Sequence, residues 1–467
     1  MVSVEHQEMY SQLLSYKNLI FQITLSLTLT ILLYFISLAS FFLNGINTYI
    51  HPDDVNPNKP QQSGPKLAIK RPSDQNPNHN LNGFQSLSSR TSSELKQRKK
   101  IKEKFEKFEF DENKAQIFRL KLGDPLIQSR LFYDSYSKCF NCFVISCFCL
   151  LLHKYLSFDL GDEFDDLGVV KNGSLVPVLI SVYGLVRVLV SGFGVFVERS
   201  AFKRSERQLG FAFGVLGFFV GLVICLGLCP SVVDFEFSSI DGYGRLVVAG
   251  LCGCITGFLY MGAGKNARAF WLGTDQIRCN LSIVSIGWFG QILFYANHLS
   301  AGFSSLLWIN PFAEIFLKKD NVGMEEADFV KFRLYSLLLT GVLQVLTLRL
   351  NVQTFLNEAV LSWYQRLHSS TVPDMDYSRA KVFLHGHYLC LAVLQFFTPA
   401  ALILLSLGLS QVNGGLFDNF QGICGMLPCS VFVKETAIFL AWWVAFVWFL
   451  FSTAYLAIYR RGIMHIS

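Results

Sequence analysis

The sequence predicts an all-α polytopic membrane protein, a bundle of about nine transmembrane helices with a partly disordered cytoplasmic connection after the first. Three observations carry this. First, 467 residues at 52% hydrophobic and 16% charged, with mean hydropathy +0.38, hold more apolar surface than a soluble core of that length can hide. Second, the apolar residues fall in uncharged runs of roughly 20, the length that crosses ~30 Å of hydrocarbon at ~1.5 Å per residue. Third, the runs are continuously apolar rather than alternating. This pattern argues against a transmembrane barrel, and the need to satisfy the backbone in lipid selects helices.

The spans read as Leu19 to Leu43, Cys139 to Leu156, Leu175 to Val197, Leu209 to Cys229, Leu246 to Met261, Leu281 to Ile309, Phe332 to Leu350, Tyr388 to Leu409 and Thr436 to Tyr459. The organisation that follows is an N-terminal signal-anchor span over 1–50, a cytoplasmic connection over 51–136, and a multi-span helical domain over 137–467. The first run is too long for the apolar region of a cleaved signal, and Glu5 and Glu8 stand where a signal would be basic.

Basic residues stay cytoplasmic while acidic loops cross freely, and the connections alternate. RTSSELKQRKKIKEKFEK is followed by DLGDEFDDLG, then ERSAFKRSER, then VDFEFSSIDG. Lys265, Arg268 and Arg278 continue the basic side, Asp320, Glu325, Glu326 and Asp328 the acidic side, and Arg460 and Arg461 return to the basic one. The expected N-terminus is external or lumenal, the C-terminus cytoplasmic, in an endomembrane or the plasma membrane. On this topology the sequon at Asn172 is external, making the chain a candidate glycoprotein, and Cys424 and Cys429 share an external loop that permits a disulfide. The sequon at Asn280 faces the cytoplasm and is expected to be silent.

Within the connection, residues 51–93 are rich in Pro, Asn, Gln and Ser and too poor in apolar groups to offset the entropy of ordering. Ile101, Phe105 and Phe108 then recur among lysines, as in an amphipathic helix on an anionic leaflet or a solvated charged helix. Phe118, Leu120 and Leu122 alternate with Arg119 and Lys121, which suggests a short strand or hairpin. Nucleic acid is a poor partner for lysines that lie between membrane spans and among Glu103, Glu106 and Glu109.

Gly210, Gly214, Gly217 and Gly221 form one stripe in the fourth span, and Gly253 and Gly257 repeat the small-residue spacing in the fifth, both read as helix-packing faces. Polar groups inside spans point closer to function, because they face a partner or a watery cavity. Thr340, Gln344, Thr347 and Asn351 share a face with Arg333 one heptad earlier; Gln291, Tyr295 and His298 share another; Arg187 stands in the third span. They read either as interhelical hydrogen bonds that hold the bundle together or as an ion or small-solute pathway. Its candidate lining is Arg187, Gln291, His298, Gln344 and Arg349. A lone arginine would repel cations or bind an anion. An alternative role is a scaffold that recruits lipid or partner proteins through Lys96 to Lys107.

Signatures of hydrolases, zinc proteases, P-loop and dinucleotide enzymes are missing, so a non-enzymatic protein without a cofactor is expected. His385-Gly386-His387 with Asp374 and Asp376 is a weak metal-like cluster, retained as a minor intramembrane-enzyme reading and not as a metal site. Cys139 and Cys142 form a CxxC without a matching pair, suited to packing or palmitoylation.

The stretch FRLYSLLLTGVLQVLTLRLNVQTFLNEA, then YLCLAVLQFFTPAALILL, the Trp442-Trp443 pair and FSTAYLAIY resemble the transmembrane protein 161 family, as does Glu198-Arg199-Ser200. The polar positions Arg333, Arg349, Gln353, Asn357, Gln395 and Pro399 carry the likeness beyond hydropathy. The resemblance implies a polytopic membrane protein without established catalysis, linked in animals to control of ion currents. Membrane lipids and channels or other membrane proteins are the partners it suggests.

Overall fold

The structure, a computed structural model, describes residues 17–50, 118–159, 175–198, 204–228, 231–235, 237, 242–274, 286–317, 324–368, 375–412 and 430–463. Asn172, Cys424, Cys429 and the Lys96 to Lys107 segment lie outside the described residues.

Thirteen helices and one two-stranded sheet are described. In chain order they are α1 (Lys17–Ile36), α2 (Leu38–Leu43), β1 (Asn47–Ile50), β2 (Phe118–Lys121), α3 (Asp124–Gln128), α4 (Tyr133–Asp159), α5 (Leu175–Val197) and α6 (Arg204–Cys225). They continue as α7 (Gly242–Thr274), α8 (Trp288–Leu306), α9 (Asn310–Leu317), α10 (Glu326–His368), α11 (Met375–His387), α12 (Leu389–Ser410) and α13 (Ser430–Arg460). The described residues 17–49 and 119–463 belong to one compact unit.

Eight of the described helices, α1, α4, α5, α6, α7, α10, α12 and α13, are long and apolar enough to cross a membrane. The sixth run of the sequence reading is the exception. Its helix, α8, carries Gln291, Asn297, His298, Ser300, Ser304 and Ser305, which lower its hydropathy below that of a typical span.

Contacts nevertheless carry α8 from one end of the bundle to the other. At its start Gln291 donates to the Gly273 carbonyl at the end of α7, 3.4 Å away. Beyond its far end the Leu307 carbonyl accepts from Arg333 at the start of α10, 2.9 Å away. Arg268 of α7 meets Glu358 late in α10 and Tyr459 late in α13, so α7, α10 and α13 run one way and α8 the other. At ~1.5 Å per residue its 19 residues span about 28 Å, enough to cross. The lipid-facing side of α8 is apolar: Trp288, Phe289, Ile292, Leu299 and Leu306 are exposed, and its polar residues turn largely inward.

The first span is broken. Ser37 adopts a left-handed backbone (φ 49°) that ends α1 and starts α2, where the sequence suggests one run to Leu43. Most of α1 is exposed, as in Tyr34 at 79%, which suits a helix on the lipid-facing rim. Tyr136 of α4 donates to the Ala39 carbonyl, tying α2 to the bundle. The alternating segment at Phe118 is a strand, and its partner, β1, follows directly on the first span.

The closest helix pair is α6 on α7. A methyl group on Gly253 would sit 2.9 Å from the Gly214 carbonyl oxygen, and one on Gly257 would sit 3.2 Å from that of Gly210. Gly221 faces Cys252, and Gly217 faces Thr256. The two glycine stripes therefore face each other, bringing backbone against backbone. Behind them Trp443 of α13 donates to the Cys252 carbonyl (3.2 Å), and Trp442 donates to that of Ser305 (3.0 Å). The α12 helix is the centre, buried along almost its whole length, and packs on α4, α5, α7, α10 and α13.

Candidate functional site

The polar stripe of α10 is buried as a unit: Arg333 is 7% exposed, Gln344 4% and Asn351 3%, while Thr340 and Thr347 are fully enclosed. It faces α8. The Ser300 and Thr340 hydroxyls are 2.8 Å apart, the Ser304 hydroxyl lies 3.2 Å from that of Thr340, and Gly290 lies against Leu350. This antiparallel register sets Asn297 level with Gln344, one helical turn from the serine–threonine contact.

Hydroxyls in this seam have partners, whereas several amide atoms do not. Thr340 bonds the Ser336 carbonyl at 2.9 Å and Thr347 that of Gln344 at 3.1 Å. Neither side-chain amide atom of Gln344 has a hydrogen-bond partner, and the same holds for Oδ1 of Asn297 and of Asn351. A buried polar group without a partner costs about 1–3 kcal/mol, and amide atoms of three residues are in that position here.

Charge is kept to the two ends. At one, Glu358 is 5% exposed and its Oε1 accepts from Arg268 at 3.1 Å, while Arg268 Nε donates to Tyr459 at 2.9 Å. Beside it Lys265 stands 5.1 Å above the Phe355 ring, and His385 stacks on Phe355 with ring centres 4.5 Å apart. At the opposite end Arg333 reaches Asp234 at 2.5 Å and lies over Trp308 and Phe329. Glu358 follows Arg333 by 25 residues, about 38 Å of helix, so the ion pairs bracket a hydrocarbon-thick layer.

Residues 243–419 match the family model described as predicted transmembrane protein 161AB. That stretch is similar to the transmembrane protein 161 family. It runs from α7 to just past α12 and includes the seam and both ion-paired arginines, Arg268 and Arg333. The Trp442-Trp443 pair and the Glu198 triplet of the sequence resemblance fall outside it. The chain is a multi-pass membrane protein. No solved structure matches it.

The five candidate lining residues do not gather in one place. Gln344 is in the seam. Gln291 is at its Arg268 end, and His298 lies beside it, between the rings of Phe270 (5.4 Å) and Phe449 (5.2 Å). Arg349 is instead exposed and donates to the Asn44 carbonyl at 2.9 Å. Arg187 is half-buried on α5, beside Cys139 and Cys142 of α4, and α12 stands between it and the seam. Hydropathy placed both arginines inside spans, but helix rotation turns them to other neighbours.

Two features are missed by the sequence reading. Asn297 is one; the small residues Gly290, Ala301 and Ser304 share its buried face and mark the helix contact. The other is a clasp at the Arg268 end. Gln353 accepts from the Asn47 backbone N–H (2.9 Å) and donates to Asn357 (2.8 Å), which also accepts from the Tyr49 hydroxyl (2.9 Å). With Arg349 on Asn44, three polar residues that carry the family resemblance hold the chain just after the first span. The β1–β2 pairing returns it there, with Leu122 N–H bonded to the Ile46 carbonyl at 2.8 Å.

Among the described residues no group of three or more His, Cys, Asp or Glu is placed to hold an ion. His385 Nδ1 lies 2.8 Å from the Lys381 carbonyl and so carries the proton, and His387 stacks on Phe383. Burial pushes the His385 imidazole down to about 4, so the ring is neutral near pH 7. Its folded value is below the ordinary 6.5, so its contribution is intact above about 6.5 and is lost as pH falls from there towards 4. At pH 5 the unfolded chain holds the proton and the folded chain does not, a loss on the order of 2 kcal/mol. Thermal unfolding in detergent at pH 7 and pH 5 checks this: His385→Phe, which keeps the stack, is expected to show a smaller drop than the unaltered chain.

Proposed function

We propose that this protein forms or regulates a pathway for an ion or small solute along the α8–α10 seam, without catalysing a reaction. The observation that supports the reading is the set of unpartnered amides, Asn297, Gln344 and Asn351, buried at one helix interface. Neutral amide oxygens and N–H groups can replace part of a hydration shell without trapping the solute by charge. The basic end, with Lys265, Arg268, Arg460 and Arg461, is assigned to the cytoplasm by the positive-inside bias, and the Asp234 end to the outside. This puts the N-terminus outside and the C-terminus inside. Asn172 is then available for glycosylation, and Cys424 and Cys429 for pairing. Control of ion currents, the role implied by the family resemblance, is the physiological form this activity would take.

Purified protein in liposomes tests the reading by flux of small ions with Gln344→Leu as the comparison. The substitution conserves volume and removes both unpartnered atoms, so it is expected to keep or raise stability while lowering flux at least several-fold. Equal flux in both proteins would reject the seam as the path. A second reading, a scaffold working through Lys96 to Lys107, draws support from the clasp, which fixes the points where that connection begins and ends. Charge reversal of those lysines would then alter partner or lipid recruitment and leave flux unchanged.

A further inference from the structure

The turn between α3 and α4 carries a guanidinium with nothing to neutralise it. Fully buried Ile127 anchors α3, and the Tyr133 N–H bonds the Arg130 carbonyl at 3.2 Å across a turn in which Phe132 takes a left-handed backbone (φ 66°). Arg130 itself is half-buried, its Nε is enclosed without an acceptor, and no carboxylate pairs with it among the described residues. The titratable group beside it is the Cys390 thiol, which carries no charge at neutral pH. A guanidinium withdrawn from water in this way is costly unless an anion meets it.

Two further elements converge on the same point. Along β1, Asn47 and Tyr49 reach α10, and the alternation of a strand sends Thr48 to the opposite face, where it is 3% exposed. Gly386, the middle residue of the HxH motif, completes the recess. A methyl group on it would stand 3.8 Å from Arg130 Nη1 and 3.8 Å from Thr48 Oγ1, so guanidinium and hydroxyl border one gap at least wide enough for a methyl. The gap lies where spans begin and end: Arg130 just precedes α4, Thr48 closely follows α2, and Gly386 just precedes α12. That is the level at which lipid phosphates meet the hydrocarbon, and Leu131, next to Arg130 and 40% exposed, suits contact with lipid.

We propose that Arg130 and Thr48 bind a phosphate group in this gap, either the headgroup phosphate of an anionic lipid or a soluble phosphate monoester. The guanidinium supplies the charge and a fork of N–H donors, the hydroxyl supplies one O–H donor, and Gly386 leaves room for the oxygens. Tetrahedral phosphate reaches donors that come from separate elements of the fold. The site is independent of the seam, since its residues stand on the α3–α4 turn, β1 and α11.

The test is thermal unfolding of the full chain in dodecyl maltoside, a detergent without phosphate, titrated separately with dihexanoyl phosphatidic acid and with glycerol 1-phosphate. A saturable rise in midpoint is expected, absent with dihexanoylglycerol and with sodium chloride at matched ionic strength. Gly386→Ala fills the gap at ordinary contact distance and favours the helix, so it is expected to keep or raise the ligand-free midpoint while weakening phosphate binding about tenfold or more. Arg130→Gln removes an unpaired charge and is expected to weaken binding as much, again without lowering the ligand-free midpoint. A rise with phosphatidic acid alone assigns the site to a lipid headgroup, and a rise with glycerol 1-phosphate at similar concentration assigns it to a soluble ester. No saturable rise with either ligand, an equal rise with dihexanoylglycerol or chloride, or binding unchanged in either variant overturns the proposal.

Discussion

Arg268→Ala is expected to destabilise the protein by roughly 3 kcal/mol, more than any other single charge removal in the bundle. The reason is the carboxylate left behind. Glu358 has its side chain only 6% exposed and that of Arg268 34%, so the acid has little water to fall back on once the guanidinium is gone. Arg268 also donates to Tyr459, so the substitution loosens α7 from both α10 and α13 at one point. Lys265 is a poorer partner, because lysine lacks the fork that serves two acceptors. Removing both partners is a different matter. The double change Arg268→Leu with Glu358→Leu eliminates the charge instead of stranding it, and is expected to recover most of the loss. Thermal unfolding of the two single variants and the double variant in detergent measures this cycle. Additive losses in the double variant would mean that the pair is not coupled and that Glu358 is satisfied by the basic groups around it.

This pair shows where sequence reading reaches and where it stops. A bilayer imposes a length, and length is read along one chain, so apolar runs reveal spans without knowledge of their neighbours. The periodic stripe Thr340, Gln344, Thr347, Asn351 is legible for the same reason: its repeat belongs to one helix. Pairing across helices is another kind of information. Arg268 and Glu358 are 90 residues apart, each at the margin of its own span, and nothing local connects them. Arg187 looks the strongest candidate by depth in the membrane, yet depth does not say which neighbour a helix face meets. Asn297 is hidden next to His298, whose greater polarity draws the reading to the adjacent face. The strand β1 is four residues long and has its partner across the whole connection after the first span, so no period along the chain announces it.

Gly253→Leu is expected to separate α6 from α7 and to cost at least 3 kcal/mol, or to prevent accumulation of the folded protein altogether. A first side-chain carbon there would already sit 2.9 Å from the Gly214 carbonyl oxygen and 2.9 Å from the Phe218 Cβ. One of those contacts is backbone, which cannot rotate away, so relief requires the helices to move apart along their length. That movement would also remove the facing contacts at Gly210, Gly217 and Gly257, because all lie on the same pair of stripes. Lipid tails are as apolar as leucine, so the added side chain gains no burial energy to offset the lost packing. Gly250 is the control: it is one turn away on α7 with nothing within 4 Å of the position a side chain would take, so Gly250→Leu is expected to change stability little. Comparing the two by fluorescence size exclusion and thermal unfolding separates close approach from a general intolerance of larger residues in α7. If both variants behave alike, the stripe is not what holds α6 to α7. If only Gly253→Leu fails, the glycines set the distance between these helices, and with it the position of the Trp443 contact behind them.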